Sequence, residues 1–400
     1  MSGCCRLAVG GLLALPFLLG FAAAPAAATG PVLVALTYEQ TEDRSNFIDQ
    51  VRKARKGDAE SQWQVGSTYA LLDDPARALP LLRSAAEAGH PRAAALLGWL
   101  HEEGRGAEKS LEEARRWYRL AAEKDNADGM AALGRLLLRE TGPGSREAAR
   151  QLFQRAAQQD DPNGQYYLGW LLARTDGPRN DAQAYAWFIK SAHQGHVGAQ
   201  VAVATHLMAG RGVAMNKKAA GEWLLRAAEK QDPVAHYLLG RLREDAGDAG
   251  LDGARRSYRV AAEAGHREAQ FALATLLAKS AAETDRKEAV EWFGKAHEAG
   301  HKAAANRLGE MYRDGAGVLQ QPDRARRVFQ QAAEQGDANA MYNLAAMQND
   351  GLGGARDTGN ALKWYARAAD EGHQKALDVV AGLLNSSVRT SALGLKGFWQ

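Results

Sequence analysis

The chain has 400 residues, of which 50 are basic and 47 acidic, so its formal net charge is only +3. A charge this small and this evenly spread argues against a nucleic-acid-binding surface. Apolar residues make up 46% of the chain and nine residues are Trp, a composition that argues against disorder and indicates a well-packed core.

The first 28 residues differ in character from the rest. Arg6 gives a short basic start, residues 7–24 are apolar, and three alanines at 26–28 precede Thr29. These features predict a secretory signal peptide over residues 1–28, cleaved before Thr29. The alternative is an uncleaved membrane anchor.

The two cysteines bear on the same question. Cys4 and Cys5 both precede the apolar run, whereas the lipidated cysteine of a lipoprotein would follow it. The sequence therefore predicts a periplasmic or secreted protein that has no lipid anchor and no stable membrane span after cleavage. The mature chain would contain no cysteine.

A helical segment recurs along the rest of the chain. Residues 111–129 read LEEARRWYRLAAEKDNADG, and related segments return at 182–195, 217–232, 287–300 and 360–372. These segments are the second helix of each repeat, and the helix that comes before each of them is the first helix. The first helix carries a small residue at a fixed position. We name these residues the small-residue column, and they are Gly66, Gly98, Gly134, Gly169, Ala204, Gly240, Ala274, Gly309, Ala345 and Ala381. The steps of 32 to 36 residues along this column accommodate two helices and two turns. We therefore expect an all-α fold of about nine tandem helix-turn-helix repeats, a right-handed α-solenoid with terminal capping helices.

The repeats define the domain organisation. Residues 29–56 are predicted to form an N-terminal extension that ends in a capping helix over 45–56, and residues 57–384 form the repeat array. The tail, residues 385–400, fits no repeat, and it either caps the last repeat or docks elsewhere. Within the array, the Trp column of Trp117, Trp187, Trp223, Trp292 and Trp364 is predicted to pack between helices.

The repeat pattern resembles the Sel-one-like repeat family, which is related to the tetratricopeptide repeat. The shared features are A-x-x-x-L-G in the first helix, G-x-G-V in the turn and K-A-x-x-W-Y-x-x-A-A-x-x-G-H in the second helix, best matched by residues 199–232 and 304–337. The repeats that begin at Gly57 and Asp232 lack the G-x-G-V turn, and residues 125–160 have a shortened version. The resemblance implies an α-solenoid used for protein–protein contacts and does not imply an enzyme.

No pattern of catalytic or metal-binding residues stands apart from the repeats. His193 with His196 and His297 with His301 have spacings that metal ligands can have. However, His196 and His301 occupy a turn position that recurs in other repeats without a second His. We therefore expect no metal, no cofactor and no catalytic site.

A candidate surface follows from helical geometry. An α-helix rotates by about 100° per residue, and this places two positions of the first helix on the side away from its partner helix. They are the residue after the small-residue column and the residue three before it. We name these two positions the candidate columns. They contain Trp99, Arg135, Tyr166, Trp170, Tyr237 and Arg241 over five consecutive repeats. Trp, Tyr and Arg are enriched at interface hot spots, so we expect a partner-binding concave face here. The alternative is that the Tyr and Trp side chains pack between adjacent first helices.

These observations predict an exported, non-catalytic scaffold that binds other envelope or secreted proteins. The alternative is a periplasmic component of an exopolysaccharide export apparatus, in which the aromatic and Arg side chains contact an acidic polysaccharide. Neither hypothesis involves nucleic acid.

Overall fold

The computed structural model describes residues 41–140, 142–174 and 177–382, with side chains from residue 46 onward. The predicted signal peptide and the tail lie outside the described residues. Over those that are described, the prediction of an all-α fold of tandem helical hairpins is confirmed, because the secondary structure consists of α-helices and one short 3-10 turn, without strands.

The chain divides into two compact units at Tyr167 and Leu168. The helices of the N-terminal unit are α1 (Thr41–Arg55), α2 (Ala59–Leu71), α3 (Pro75–Glu87), α4 (Pro91–Glu103), α5 (Leu111–Glu123), α6 (Ala127–Leu137) and α7 (Ser145–Gln158). The division falls within α8 (Pro162–Ala173).

The C-terminal unit continues the same alternation of first and second helices. Its helices are α9 (Pro178–His193), α10 (Val197–Ala209), α11 (Lys217–Glu229), α12 (Pro233–Glu244), α13 (Leu251–Glu263), α14 (Arg267–Ala278), α15 (Glu283–Glu298), α16 (Lys302–Asp314), α17 (Pro322–Glu334), α18 (Ala338–Asp350) and α19 (Thr358–Asp370). The 3-10 turn Asp248–Gly250 precedes α13, and residues 374–382 are also helical. Helices α2 to α19 form nine hairpins, the number expected from the small-residue column.

Each hairpin closes where the small-residue column meets a large side chain of the second helix. A Cβ added at Gly98 would lie 2.7 Å from the ring of Tyr118, and one added at Gly134 would lie 2.6 Å from the ring of Phe153. Tyr118 and Phe153 are only 2% and 0% exposed. The absence of a side chain on the first helix therefore creates the space that the aromatic ring fills.

The burial of the second helix differs from the prediction in one respect. The most deeply buried large side chain is the residue after the Trp column, and this column comprises Leu82, Tyr118, Phe153, Phe188, Leu224, Tyr258, Phe293, Phe329 and Tyr365. Trp117 and Trp292 are buried as expected, but Trp187, Trp223 and Trp364 are only half-buried. The Tyr, Phe and Leu side chains of this column are therefore the ones that contact the small-residue column, as Leu82 does at Gly66 and Tyr258 at Gly240.

The turns between repeats need a left-handed backbone. Gly89, Gly195 and four later glycines have φ between 79° and 90° there, which glycine adopts without strain. Three repeats place a residue with a side chain at this position, namely Asp125, Asp160 and Gln231, with φ between 57° and 65°. Asp is among the residues that tolerate this region best, and the sequence alone did not single out these positions.

The hairpin of α12 and α13 departs most from the repeat pattern. Ser257 stands where most repeats have a large side chain, and it is buried at 3% exposure. The guanidinium of Arg243 reaches this position, where it donates to the Ser257 hydroxyl and, at 3.2 Å, to the carbonyl oxygen of Gly253. The arginine thus replaces the missing aromatic ring with hydrogen bonds.

We predict that Gly134→Val destabilises the protein, because the new side chain collides with the buried Phe153 ring. Overpacking of this kind costs about 1–3 kcal/mol. The matched control is Gly294→Ala, since a Cβ at this helical glycine meets no atom within 4 Å. Urea unfolding should give a lower midpoint for Gly134→Val and an equal or higher one for Gly294→Ala. Equal midpoints for Gly134→Val and the unsubstituted chain would contradict the close contact.

Candidate interaction surface

The candidate columns are neither fully buried nor fully exposed. All six predicted residues, Trp99, Arg135, Tyr166, Trp170, Tyr237 and Arg241, are half-buried. Such side chains are held by the fold and still present part of their surface to solvent. Trp99, Arg135 and Tyr166 belong to the N-terminal unit, and the other three belong to the C-terminal unit.

Trp99 is anchored on α4. Its ring packs against the apolar cluster between α3 and α5 and also against the next cluster, around Met130. The Arg105 guanidinium lies 5.3 Å from the centre of the ring, and the same guanidinium pairs with Asp73 at 3.0 Å. The ring is thus fixed on one side by the core and on another by a cation that is itself paired.

Arg135 has a partner within its own unit. It forms an ion pair with Glu102, whose side chain is only 5% exposed, and the Tyr118 hydroxyl donates to the same carboxylate at 2.9 Å. Burial alone would raise the pKa of Glu102, but the hydrogen bond and charge of Arg135, helped by Tyr118, lower that pKa overall. The charge of Arg135 therefore stabilises a buried carboxylate, and a role for Arg135 in partner binding stays a prediction.

Tyr166 packs beside an aromatic pair that consists of half-buried Tyr167 and buried Phe153. Its ring meets Tyr167 edge to face at 5.1 Å, and Tyr167 stacks on Phe153 at the same distance. Burial raises the pKa of Tyr167, so its hydroxyl remains protonated at neutral pH. Tyr166 is half-buried, and partner binding there also stays a prediction.

In the C-terminal unit, Trp170 resembles Trp99. The Arg174 guanidinium lies 4.7 Å from the centre of its ring, one helical turn further along the chain. The position in the repeat is the same as that of Trp99, one residue after the small-residue column. Each of the two tryptophans is therefore half-buried with an arginine over one face.

Tyr237 and Arg241 lie one helical turn apart on α12. Tyr237 stacks on His266 with ring centres 4.8 Å apart and is tilted against Tyr258 at 6.0 Å. Burial raises the pKa of Tyr237, although the charge of Arg241 opposes the shift. The stacking shows that Tyr237 packs between repeats, which was the alternative to its exposure for a partner.

The stacking partner of Tyr237 belongs to a column of histidines whose role the sequence did not reveal. The same arrangement joins Trp63 to His90 at 5.3 Å, Phe271 to His301 at 4.0 Å and Tyr342 to His373 at 4.6 Å. In each pair the histidine precedes the next first helix. The recurring Gly-His turn was visible in the sequence, but the aromatic residue it covers lies about one repeat earlier.

Four histidines of this turn position also cap the helices that they precede, and His301 does not. The Nδ1 atom of His196 accepts a hydrogen bond from the backbone N–H of Ala199 at 3.0 Å. His90, His266 and His373 accept in the same way. At His90 the other ring nitrogen, Nε2, lies 2.9 Å from a carboxylate oxygen of Glu60. Burial lowers the pKa of His196 to about 4.

A buried carboxylate serves as the cap of α8. Asp161 accepts from the backbone N–H of Gly164 at 2.5 Å and is 7% exposed. Burial raises the pKa of Asp161 to about 6, with a further contribution from the negative charge of Asp128. The hydrogen bond from Gly164 opposes this shift without cancelling it.

The histidine pairs with metal-like spacing have other contacts. His193 meets the Trp223 ring edge to face at 5.1 Å, while His196 is a helix cap and His301 lies 3.1 Å from Glu268. Across the described ranges, no group of three or more His, Cys, Asp or Glu side chains is arranged to hold a metal ion. Within the same part of the chain, no helix combines the length and apolar character needed to cross a membrane.

Comparison with known families matches the Sel1 repeat to eight segments, at residues 59–90, 91–126, 127–161, 162–196, 197–232, 267–301, 302–337 and 338–373. The chain belongs to the Sel1 repeat family. This confirms the resemblance to Sel-one-like repeats. Residues 233–266, which lie between the fifth and sixth matched segments, are not matched. They contain the irregular α12–α13 hairpin, which is helical like the others.

Solved structures of Sel1-repeat proteins are similar to this chain. A Sel1 repeat protein from Oxalobacter formigenes is 29% identical over 55% of this chain and 87% of its own, with a TM-score of 0.48. A protective antigen of uropathogenic Escherichia coli strains, displaying an SLR fold, is 24% identical over 86% of this chain and 91% of its own, with a TM-score of 0.37. The comparison with curated proteins finds no significant match.

We predict that Arg135→Met destabilises the N-terminal unit by about 3 kcal/mol at pH 7, because it leaves the buried Glu102 carboxylate without its counter-charge. Adding Glu102→Gln should restore most of the lost stability. Acidification should also reduce the loss, because Glu102 becomes protonated.

The control for this variant is Arg150→Met, which removes an exposed pair with Glu147 and should leave the urea midpoint unchanged. Equal effects of Arg135→Met and Arg150→Met would show that the Glu102 pair contributes nothing beyond a surface contact.

We also predict a pH-dependent loss of stability from the His196 cap. The pKa of His196 is depressed in the fold, so its contribution is complete above the usual value near 6.5 and is lost as the pH falls through about 4. The contribution is at most about 3 kcal/mol. His196→Asn should reduce the slope of stability against pH in this window, because Asn126 already serves as a cap in the same column. An unchanged slope in urea titrations at pH 4, 5 and 7 would argue against the cap.

Proposed function

We propose that the protein is an exported scaffold that binds other envelope or secreted proteins through the candidate columns. Sel1-repeat proteins generally mediate protein–protein interaction, and the family is of a non-catalytic scaffold type. The proposal adds two points to this general role: the candidate columns form the binding surface, and the protein acts after export.

The arrangement of Trp99 and Trp170 carries the proposal. Both rings occupy the same position in their repeats, both are half-buried, and each has an arginine over one face at 5.3 and 4.7 Å respectively. A tryptophan held in this way needs little further ordering when a partner covers its free face, so less conformational entropy is lost on binding. Tryptophan is also among the residues that most often dominate interface energetics.

In the N-terminal unit, the charges near the candidate columns favour a protein over an acidic polysaccharide. An acidic glycan would need guanidinium groups that are free to pair with it. Arg105 instead pairs with Asp73 and Arg135 pairs with Glu102, so both positive charges are already balanced by carboxylates. The glycan hypothesis also predicts that salt releases the glycan from the protein. Attraction between exposed charges is screened over a distance of about 10 Å at 0.1 M ionic strength.

Export is the second part of the proposal. It rests on residues 1–28, whose basic start, apolar run and small-residue end are typical of a secretory signal. These residues lie outside the described part of the chain. Export places the partner among envelope or secreted proteins.

We predict that Trp99→Ala combined with Trp170→Ala abolishes partner binding while the fold survives. A photo-crosslinking residue at position 67 or 205, in the same column as the two tryptophans, should form adducts in producing cells. The double variant should reduce adduct yield at least about tenfold, the effect of losing one strong contact. N-terminal sequencing of the recovered protein should begin at Thr29, which tests export in the same sample.

The matched control is Trp223→Ala combined with Trp364→Ala. These tryptophans are also half-buried and have an arginine 4.5 Å from the ring centre, but they lie on second helices. Adducts should persist in this control, with helical circular dichroism retained in both variants. Loss of adducts in both, or in neither, would contradict the proposed surface. Adducts that do not form when the irradiation is carried out in 0.5 M salt, and that resist protease when formed at low salt, would indicate a glycan instead.

A further inference from the structure

The last described helix, residues 374–382, occupies the place of a first helix, and within the described part of the chain no second helix covers it. In every earlier repeat the small-residue column is buried, and its alanines Ala204, Ala274 and Ala345 are all 0% exposed. Ala381, the last member of the column, is exposed. The face that closes each preceding hairpin is therefore open here.

A second position on the same face is open as well. Leu377 lies four residues before Ala381 and is 42% exposed. The equivalent residues Met130, Ala305 and Met341 are between 0% and 2% exposed. Leucine is as apolar as these residues, so the difference comes from a missing neighbour and not from the residue type.

The preceding hairpins show what covers this face. The covering side chain is the buried aromatic of the second helix, and it follows the small-residue column at a narrow range of sequence distances. Tyr258 follows Gly240 by 18 residues, Phe188 follows Gly169 by 19 and Phe329 follows Gly309 by 20. In each case the ring lies against the column: a Cβ added at Gly309 would be 2.6 Å from Phe329, and one added at Gly169 would be 2.9 Å from Phe188.

The tail contains aromatic residues at the same distance. Phe398 and Trp399 follow Ala381 by 17 and 18 residues, the separations at which Ser257 and Tyr258 follow Gly240. Neither lies among the described residues. Residues 383–400 carry two basic side chains and no acidic one. Residues 370–382 carry three acidic side chains and one basic one, so the charges are complementary.

We propose that the tail, residues 385–400, folds back onto the helix 374–382 of the same chain, with Phe398 and Trp399 covering Ala381 and Leu377. The tail thereby takes the place of a second helix in the last repeat, although its sequence does not match the repeat. The docking depends on the terminal face alone and is independent of partner binding at the candidate columns.

The test measures how fast a thiol on the open face reacts. The full chain is used with Cys4→Ser and Cys5→Ser, so that an introduced cysteine is the only thiol. Leu377→Cys is compared with Leu225→Cys on α11, because the two leucines have similar exposed fractions of 42% and 48% in the described part of the chain. The probe is a water-soluble maleimide.

The tail should slow the reaction at position 377 at least about tenfold relative to position 225, because the thiol reacts only when the tail opens. Adding Phe398→Ala and Trp399→Ala should bring the two rates to within about twofold of each other. Ala381→Cys provides a second position and should behave as Leu377→Cys does.

Three outcomes would overturn the proposal. The first is equal rates at 377 and 225 in the chain with an intact tail. The second is protection that survives the loss of both aromatic side chains. The third is protection that grows with protein concentration, which would assign the face to a second copy of the chain.

Discussion

The fold depends on one contact repeated in every hairpin: a residue with almost no side chain on the first helix against a buried ring or leucine on the second. At Gly98 and Gly134 the approach is so close that a Cβ would lie within 2.7 Å of the ring. The contact sets both the spacing and the register of each helix pair. Because each hairpin cannot bury its apolar face alone, neighbouring repeats complete the core.

The same contact explains why the fold could be predicted from the sequence. A glycine or alanine that returns every 32 to 36 residues is visible without coordinates, and it fixes the number of helices and their pairing. The exact burial of the second helix could not be predicted in this way. Trp117 and Tyr118 are adjacent and both aromatic, and only the structure shows that Tyr118 is the one that lies against Gly98.

The contacts of the candidate residues could not be predicted from the sequence. Helical geometry placed Trp99 and Trp170 on the side of the first helix away from its partner helix, and the structure shows both rings half-buried. It could not reveal that Arg135 is paired with Glu102, since these two residues are 33 positions apart. Nor could it show that Tyr237 is covered by His266, which lies 29 positions later in the chain. Contacts between repeats depend on distances that no pattern within one repeat encodes.

The helix caps give the array two kinds of joint. Some first helices start at a histidine whose ring accepts the capping hydrogen bond and, in several repeats, also stacks on the preceding repeat, as at His90 and His373. Others start at an aspartate or asparagine, as at Asn126 and Asp337, which accept the same capping hydrogen bond. A histidine of the first kind therefore links its own helix to the repeat before it, whereas an aspartate or asparagine has no ring with which to do so.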